Sequence, residues 1–191
     1  MKDYSRKKNS LLIKLKKYTT SEGIINLVIL LLIYWYLLSF FNITLLLSTT
    51  TTTGGDMSSH YYTAQYLHDY LLPHGKIIGW TPNWYAGFPM QQFYMPLPFI
   101  LISLLGYLIP LQVSFKLITV AGIFLLPLTT FLSMRLFEFK VPTPIISAAF
   151  TLIFLFNESY SMWGGNIPSN LAGEFCFTLG LAIMPLYTGL L

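Results

Sequence analysis

Residues 24–47 read IINLVILLLIYWYLLSFFNITLLL, a run in which no side chain carries a charge. Crossing the roughly 30 Å hydrocarbon core of a bilayer takes about 20 apolar residues in a helix, whereas the apolar core of a secretory signal has only about 7 to 15. The run therefore predicts a transmembrane signal anchor. Before it, residues 1–22 (MKDYSRKKNSLLIKLKKYTTSE) hold seven of the eleven Lys and Arg residues, and after it the next lysine is Lys76. Basic residues remain on the cytoplasmic side of a first span, so residues 1–22 are expected in the cytoplasm and residue 48 onward outside. The patch Leu11, Leu12, Ile13 and Leu15 would also let the basic segment lie on an anionic leaflet as a short helix.

The rest of the chain agrees in composition. Of its 191 residues 54% are hydrophobic and only 9% are charged, with a mean hydropathy of +0.62, where soluble domains carry roughly 25% charge. So few charges cannot cover a water-facing surface, which excludes an ordinary soluble domain, a disordered chain and a coiled coil. The net charge of +4 comes from the basic N-terminus, so it reports topology and not a nucleic-acid partner. Cys176 is the only cysteine; it has no disulfide partner and no second thiolate for zinc, so any metal must use oxygen or imidazole ligands.

Working outward, residues 48–112 form a long outer loop holding all three histidines, with SSHYYTAQYLHDYLL expected as an amphipathic helix ended by Pro73. Residues 95–110 are apolar but short and bracketed by Pro96, Pro98 and Pro110. They are read as interfacial or re-entrant, because a true crossing there would place Arg135 and Lys140 outside, against the positive-inside pattern. Spans follow at about 113–134, kinked near Pro127, and at about 142–156, separated by the cytoplasmic turn RLFEFK. An outer loop at 157–170 leads to a span over 171–191. The chain stops inside that apolar run, so it is expected to be a part of a longer polytopic protein. The fold class expected is an all-α polytopic membrane bundle with amphipathic helices in its first outer loop and no internal repeat.

Chemistry is sought in the outer loops. Asp56, in GGDMSSH, follows glycines that let the backbone turn freely, and it suits either a helix cap or a general base and hard-cation ligand. His60 lies one helical turn later and would face the same way. Three histidines in fifteen residues suggest zinc, but spacings of eight and six match no common zinc pattern, and no zinc is expected. In HGKIIGWTPNWYAGFP, Lys76 suits a lipid phosphate and Trp84 with Tyr85 suits a sugar ring, the alternative being an aromatic belt at the headgroups. Glu174, at the mouth of an apolar run in LAGEFCF, is an ionisable group where one is costly and hence a functional candidate. Glu158 reads as a solvated loop acid.

The order of these features, from GGDMSSHYYTAQYL through LPHGKIIGWTPNWYAGFPMQQFYMPLPFIL to NIPSNLAGEF, resembles prokaryotic membrane proteins described as 6-pyruvoyl-tetrahydropterin-synthase-related. More distantly it is similar, in layout, to GT-C-fold glycosyltransferases such as the oligosaccharyltransferase catalytic subunit. The resemblance runs over most of residues 24–191. It implies a GT-C-like bundle in a prokaryotic plasma membrane that transfers sugar from a polyprenyl-phosphate donor at the outer face, with Asp56 as catalytic base or ligand of a divalent cation (Mg or Mn) and Glu174 as a supporting acid. Glu174 departs from the two-carboxylate motif of oligosaccharyltransferases, since it stands alone and about two residues early. His60, Lys76, Trp84 and Tyr85 would then contact substrate, and the partners would be membrane lipid and the lipid-linked sugar. Pterin synthase itself is a soluble zinc enzyme, and this hydrophobic chain shows no comparable domain. A second class also fits the residues: a non-enzymatic glycolipid carrier or assembly subunit, which needs Trp84 and Lys76 but not Asp56.

Overall fold

In the computed structural model, which describes residues 21–83 and 85–191, the first apolar run forms helix α1 (Ser21–Phe40). Its leucines and aromatics stay largely outward, Trp35 at 68% exposure for example, while Ile33 and Leu37 on one stripe are buried. A helix whose exposed side is apolar faces lipid. The helix stops well before Leu47 because Asn42 starts a new short helix, α2 (Ile43–Leu47), its side chain accepting from the Leu45 amide at 3.3 Å. The basic segment 1–20 lies outside the described residues.

The long segment after α2 carries α3 (Met57–Tyr66), continued by a wide π turn (Leu67–Leu71) and a 3-10 turn (Leu72–His74), then a hairpin of β1 (Gly79–Thr81) and β2 (Phe88–Met90), then α4 (Pro96–Gly106). Next comes the long α5 (Leu111–Leu136), unbroken through Pro127, followed by α6 (Thr143–Leu155), the single turn α7 (Ile167–Ser169) and α8 (Phe175–Leu190). Among the described residues three helices are long and apolar enough to cross a membrane: Glu22–Phe40, Leu111–Leu136 and Ile167–Leu190. The chain is thus an all-α membrane protein with one small hairpin. At 11 and 13 residues, α4 and α6 rise only about 17 and 20 Å, less than the hydrocarbon core.

Side-chain contacts fix the directions. The Tyr34 hydroxyl donates to the Phe124 carbonyl at 2.7 Å and Lys116 Nζ to the Ser48 carbonyl at 2.6 Å, so α1 and α5 run antiparallel. Gly122 faces Thr178 and Leu179, and Gly189 faces Ser133, so α5 and α8 run parallel. The chain therefore leaves α1 and enters α5 at one end of the bundle, and it returns to that same end through α6 and the loop after it before α8 begins. Two cores result. One, around Ile33, Leu37, Ile123, Ala148, Leu155 and Ala182, binds the long helices. The other, around Met57, Leu67, Phe99, Ile102, Phe115 and Phe175, seats α3 and α4 on the bundle end. There α4 is pinned on both sides, Tyr107 donating to the His68 carbonyl at 3.0 Å and Ser114 to the Ile102 carbonyl at 2.6 Å.

Candidate functional site

At that bundle end two loops meet. Gly54 and Gly55 (φ +106° and +50°) turn the chain into α3, and Asp56 occupies the N-cap position without using its carboxylate as a cap. Its backbone amide instead donates to the Ala172 carbonyl at 2.8 Å. From the other side, Gly173 (φ +133°) breaks the helix ahead of α8. A Cβ on Gly173 would lie 3.0 Å from Asp56 Cβ and 3.4 Å from the His60 ring, and a Cβ on Gly55 would lie 2.0 Å from the Ala172 oxygen. Only glycine at both positions lets the two backbones approach this closely. Glu174, at the N-cap of α8, likewise makes no side-chain cap bond. Both acids thus stand at the positive ends of helices, where negative charge is favoured.

His60 packs beside them. Its ring stacks on Tyr94 at 5.4 Å, meets Phe175 edge-on at 5.4 Å and lies 5.8 Å from Phe99. This burial lowers the imidazole pKa from its ordinary value, and the nearby Asp56 opposes the shift, so at neutral pH His60 is an uncharged hydrogen-bonding group. Burial pushes the Tyr94 phenol upward, and the Cys176 thiol, Glu174 and Asp56, all close enough to act on it, push the same way. Tyr94 therefore remains a neutral donor. Two carboxylates, an imidazole and a phenol on one patch suit general base chemistry and the orientation of a polar substrate. Among the described residues no three His, Cys, Asp or Glu side chains form a group that could hold a metal ion. A cation here would need waters or phosphate oxygens besides the carboxylates.

The structure brings Asp56, His60 and Glu174 together and sets Lys76 apart. Lys76 is exposed beyond α3 and the turns that continue it, its amide turned back to the Leu71 carbonyl at 2.9 Å, roughly 20 Å along that axis from Asp56. Tyr85 is 99% exposed in the hairpin turn; Trp84 lies outside the described residues. The hairpin is tied to α3 by Tyr62, whose hydroxyl is 2.9 Å from Thr81 Oγ1, and by Tyr66, which donates to the Trp80 carbonyl at 2.9 Å.

Four further residues escaped the reading of the sequence. Tyr94 stands just ahead of the apolar run 95–110, one tyrosine among thirteen in the chain. Asn170, fully buried, donates from Nδ2 to the Thr119 carbonyl at 2.8 Å and locks the start of the last helix onto α5. Asn166 does similar work in NIPSN, its Oδ1 accepting from the Ser169 amide at 2.9 Å while Nδ2 donates to the Asn157 and Tyr160 carbonyls. Lys116, buried on α5, donates to the Leu45 and Ser48 carbonyls at 2.5 and 2.6 Å. As the one charged residue in an apolar run, it carried a signal of its own.

Residues 91–191 match the model of a family described as 6-pyruvoyl-tetrahydropterin synthase related domain, membrane protein. Neither curated proteins nor solved structures give a match to the chain. The matched segment starts after the GGD-to-GFP block that carries the sequence resemblance, and it contains Tyr94, Lys116, Asn170 and Glu174 but not Asp56 or His60. Because it takes in just over half of the residues, with every element from α4 to α8, the chain belongs to the 6-pyruvoyl-tetrahydropterin synthase related family of membrane proteins.

Proposed function

We propose that the chain is a GT-C-like membrane glycosyltransferase that draws its sugar from a polyprenyl-phosphate donor at the outer face of a prokaryotic plasma membrane. One observation supports this reading: the Asp56 amide is bonded to the Ala172 carbonyl, so the segments that carry Asp56 and Glu174 meet beside His60 and Tyr94. Seven basic residues precede α1, and Arg135 in the last turn of α5 and Lys140 just beyond it stand at the end opposite Asp56. Under the positive-inside rule that distribution supports an external site.

In the proposed reaction Asp56 accepts the proton of the acceptor hydroxyl as its oxygen attacks the anomeric carbon. The bond from that carbon to the lipid phosphate breaks, and the phosphate leaves with the electron pair. Neutral His60 and Tyr94 orient the sugar by hydrogen bonds, and Glu174 supports the patch electrostatically. A divalent cation such as Mg or Mn, when bound by Asp56 and Glu174, would supply charge neutralisation for the leaving phosphate. Trp84 and Tyr85 are proposed as a stacking surface for the sugar; the reaction does not need Lys76.

The test is sugar release from a radiolabelled polyprenyl-phosphate hexose by the full chain in vesicles. Asp56→Asn is expected to lower turnover roughly 100- to 10,000-fold while the donor still binds. An unchanged rate removes Asp56 from the chemistry. Donor binding with no turnover by the wild-type chain assigns the protein to the carrier class.

A further inference from the structure

Lys116 sits on the second turn of α5 and is 6% exposed. Its ammonium donates to the Leu45 carbonyl at 2.5 Å, the Ser48 carbonyl at 2.6 Å and Ser48 Oγ at 3.0 Å. All three acceptors are neutral. The one ion pair among the described residues joins His68 to Asp69, so the hydrogen-bonding capacity of Lys116 is met while its charge is not. A covered cation without a counter-ion is costly, and such groups mark sites where an anion arrives.

A cavity of about 450 Å³ adjoins this lysine, a size within the range of small-ligand sites and too small for a two-tailed lipid. Phe41, Leu46, Val120 and Leu171 give it apolar walls, while Lys116 and Thr52 supply polar atoms. Thr52 Oγ1 is buried and has no hydrogen-bond partner. An apolar chamber with a buried cation and a spare hydroxyl matches an amphiphile with an anionic head. Ser48 Oγ can give way to it, since it also has Thr50 Oγ1 at 2.7 Å and the Leu45 carbonyl at 2.9 Å as partners.

We propose that this chamber holds the phosphate end of a single-chain lipid, with Lys116 and Thr52 on the phosphate oxygens and the start of the tail along Phe41, Leu46 and Val120. The inference deepens the glycosyltransferase reading, on which it rests for identifying that lipid as the donor's carrier. Met57 and Leu171, which also line the chamber, are chain neighbours of Asp56 and Ala172, so the chamber adjoins the backbone contact between the two segments that carry Asp56 and Glu174.

The experiment titrates the full chain, in neutral-lipid nanodiscs, with farnesyl monophosphate, farnesol, inorganic phosphate and phosphatidylglycerol, read by native mass spectrometry. Farnesyl monophosphate is expected to bind best. Lys116→Met should weaken it at least 10-fold, and Lys116→Arg less. Thr52→Val provides the safeguard should Lys116→Met fail to fold: it removes an unpartnered buried hydroxyl, so the free protein should be as stable as wild type or more so, yet bind farnesyl monophosphate several-fold more weakly. Equal binding of farnesol, inorganic phosphate or phosphatidylglycerol overturns the proposal, as does unchanged affinity in either variant. Phosphate-dependent binding without sugar transfer would leave this inference standing and remove the enzymatic reading; transfer without such binding does the reverse.

Discussion

Alanine at two adjacent glycines separates backbone strain from the contact that builds the site. Gly54 has φ +106° and nothing within 4 Å of a built Cβ; Gly55 has φ +50°, and its Cβ would stand 2.0 Å from the Ala172 oxygen and 2.8 Å from the carbonyl carbon. Gly54→Ala therefore pays only for an unfavourable backbone conformation, about 1 to 3 kcal/mol. Gly55→Ala pays about 1 to 2 kcal/mol for its left-handed conformation and must also open the two loops until the new carbon clears 3.0 Å, a shift of more than 1 Å from the 2.0 Å start. Overpacking of that kind costs about 1 to 3 kcal/mol. The same shift stretches the 2.8 Å bond from Asp56 to Ala172 out of range, for about 0.5 to 1.5 kcal/mol more. Gly55→Ala should thus lose about twice the stability of Gly54→Ala, read as denaturant midpoints of the full chain in one detergent. Equal losses, or the larger one at Gly54, would mean that the two loops do not touch and that Asp56 and Glu174 do not share a site.

Three other outcomes test separate parts of the structure. Because burial holds His60 below its ordinary pKa of about 6.5, the unfolded chain takes up a proton where the folded one does not. Its contribution to stability is complete above about pH 6.5 and is lost as the pH falls from there toward the folded-state value; the wild-type thermal midpoint should drop over that window, and an undiminished acid slope in His60→Gln refutes the assignment. For sidedness, Ser58→Cys and Ser161→Cys, both at exposed positions, should react with an impermeant thiol reagent from the same face and Phe139→Cys from the other. Ser169 is unsuited because it is fully buried, and Cys176 at 2% exposure stays silent; opposite labelling at 58 and 161 rules out a shared acidic site. Gly122→Ala should destabilise by about 1 to 3 kcal/mol although alanine normally favours a helix by about 1 kcal/mol, since its Cβ would lie 2.8 Å from the α8 backbone; a gain in stability would show that α5 and α8 are farther apart.

The apolar elements were legible because the signal for them is local. Residues 24–47 have no charge to place, and α5 and the last helix announce themselves in the same way. The end of α1 was also within reach, since Asn42 is a favoured cap, but an uncharged run hides a cap that lies inside it. The hairpin was harder to see: Pro82 and Pro89 stand in and beside its strands, and proline argues against a strand except in a ribbon such as this, where both strands are edges. Lys116 was visible as an anomaly in an apolar run, yet its acceptors lie 68 and 71 residues away, so no spacing rule could supply them.

The acids show where the limit falls. Read singly, Asp56 and Glu174 are each a cap-position carboxylate, and nothing in either segment refers to the other. They become one site through a contact between main chains, the Asp56 amide on the Ala172 carbonyl, which leaves no side-chain pattern to read. Its trace in the sequence is negative: Gly55, where a Cβ would run into the Ala172 carbonyl, and Gly173, where one would press on Asp56 Cβ. Glycines ahead of Asp56 can be read as freedom to turn, and the glycine before Glu174 as a helix break. The structure adds that both are points of close approach, and that this is what brings together the two distant segments that carry the acids.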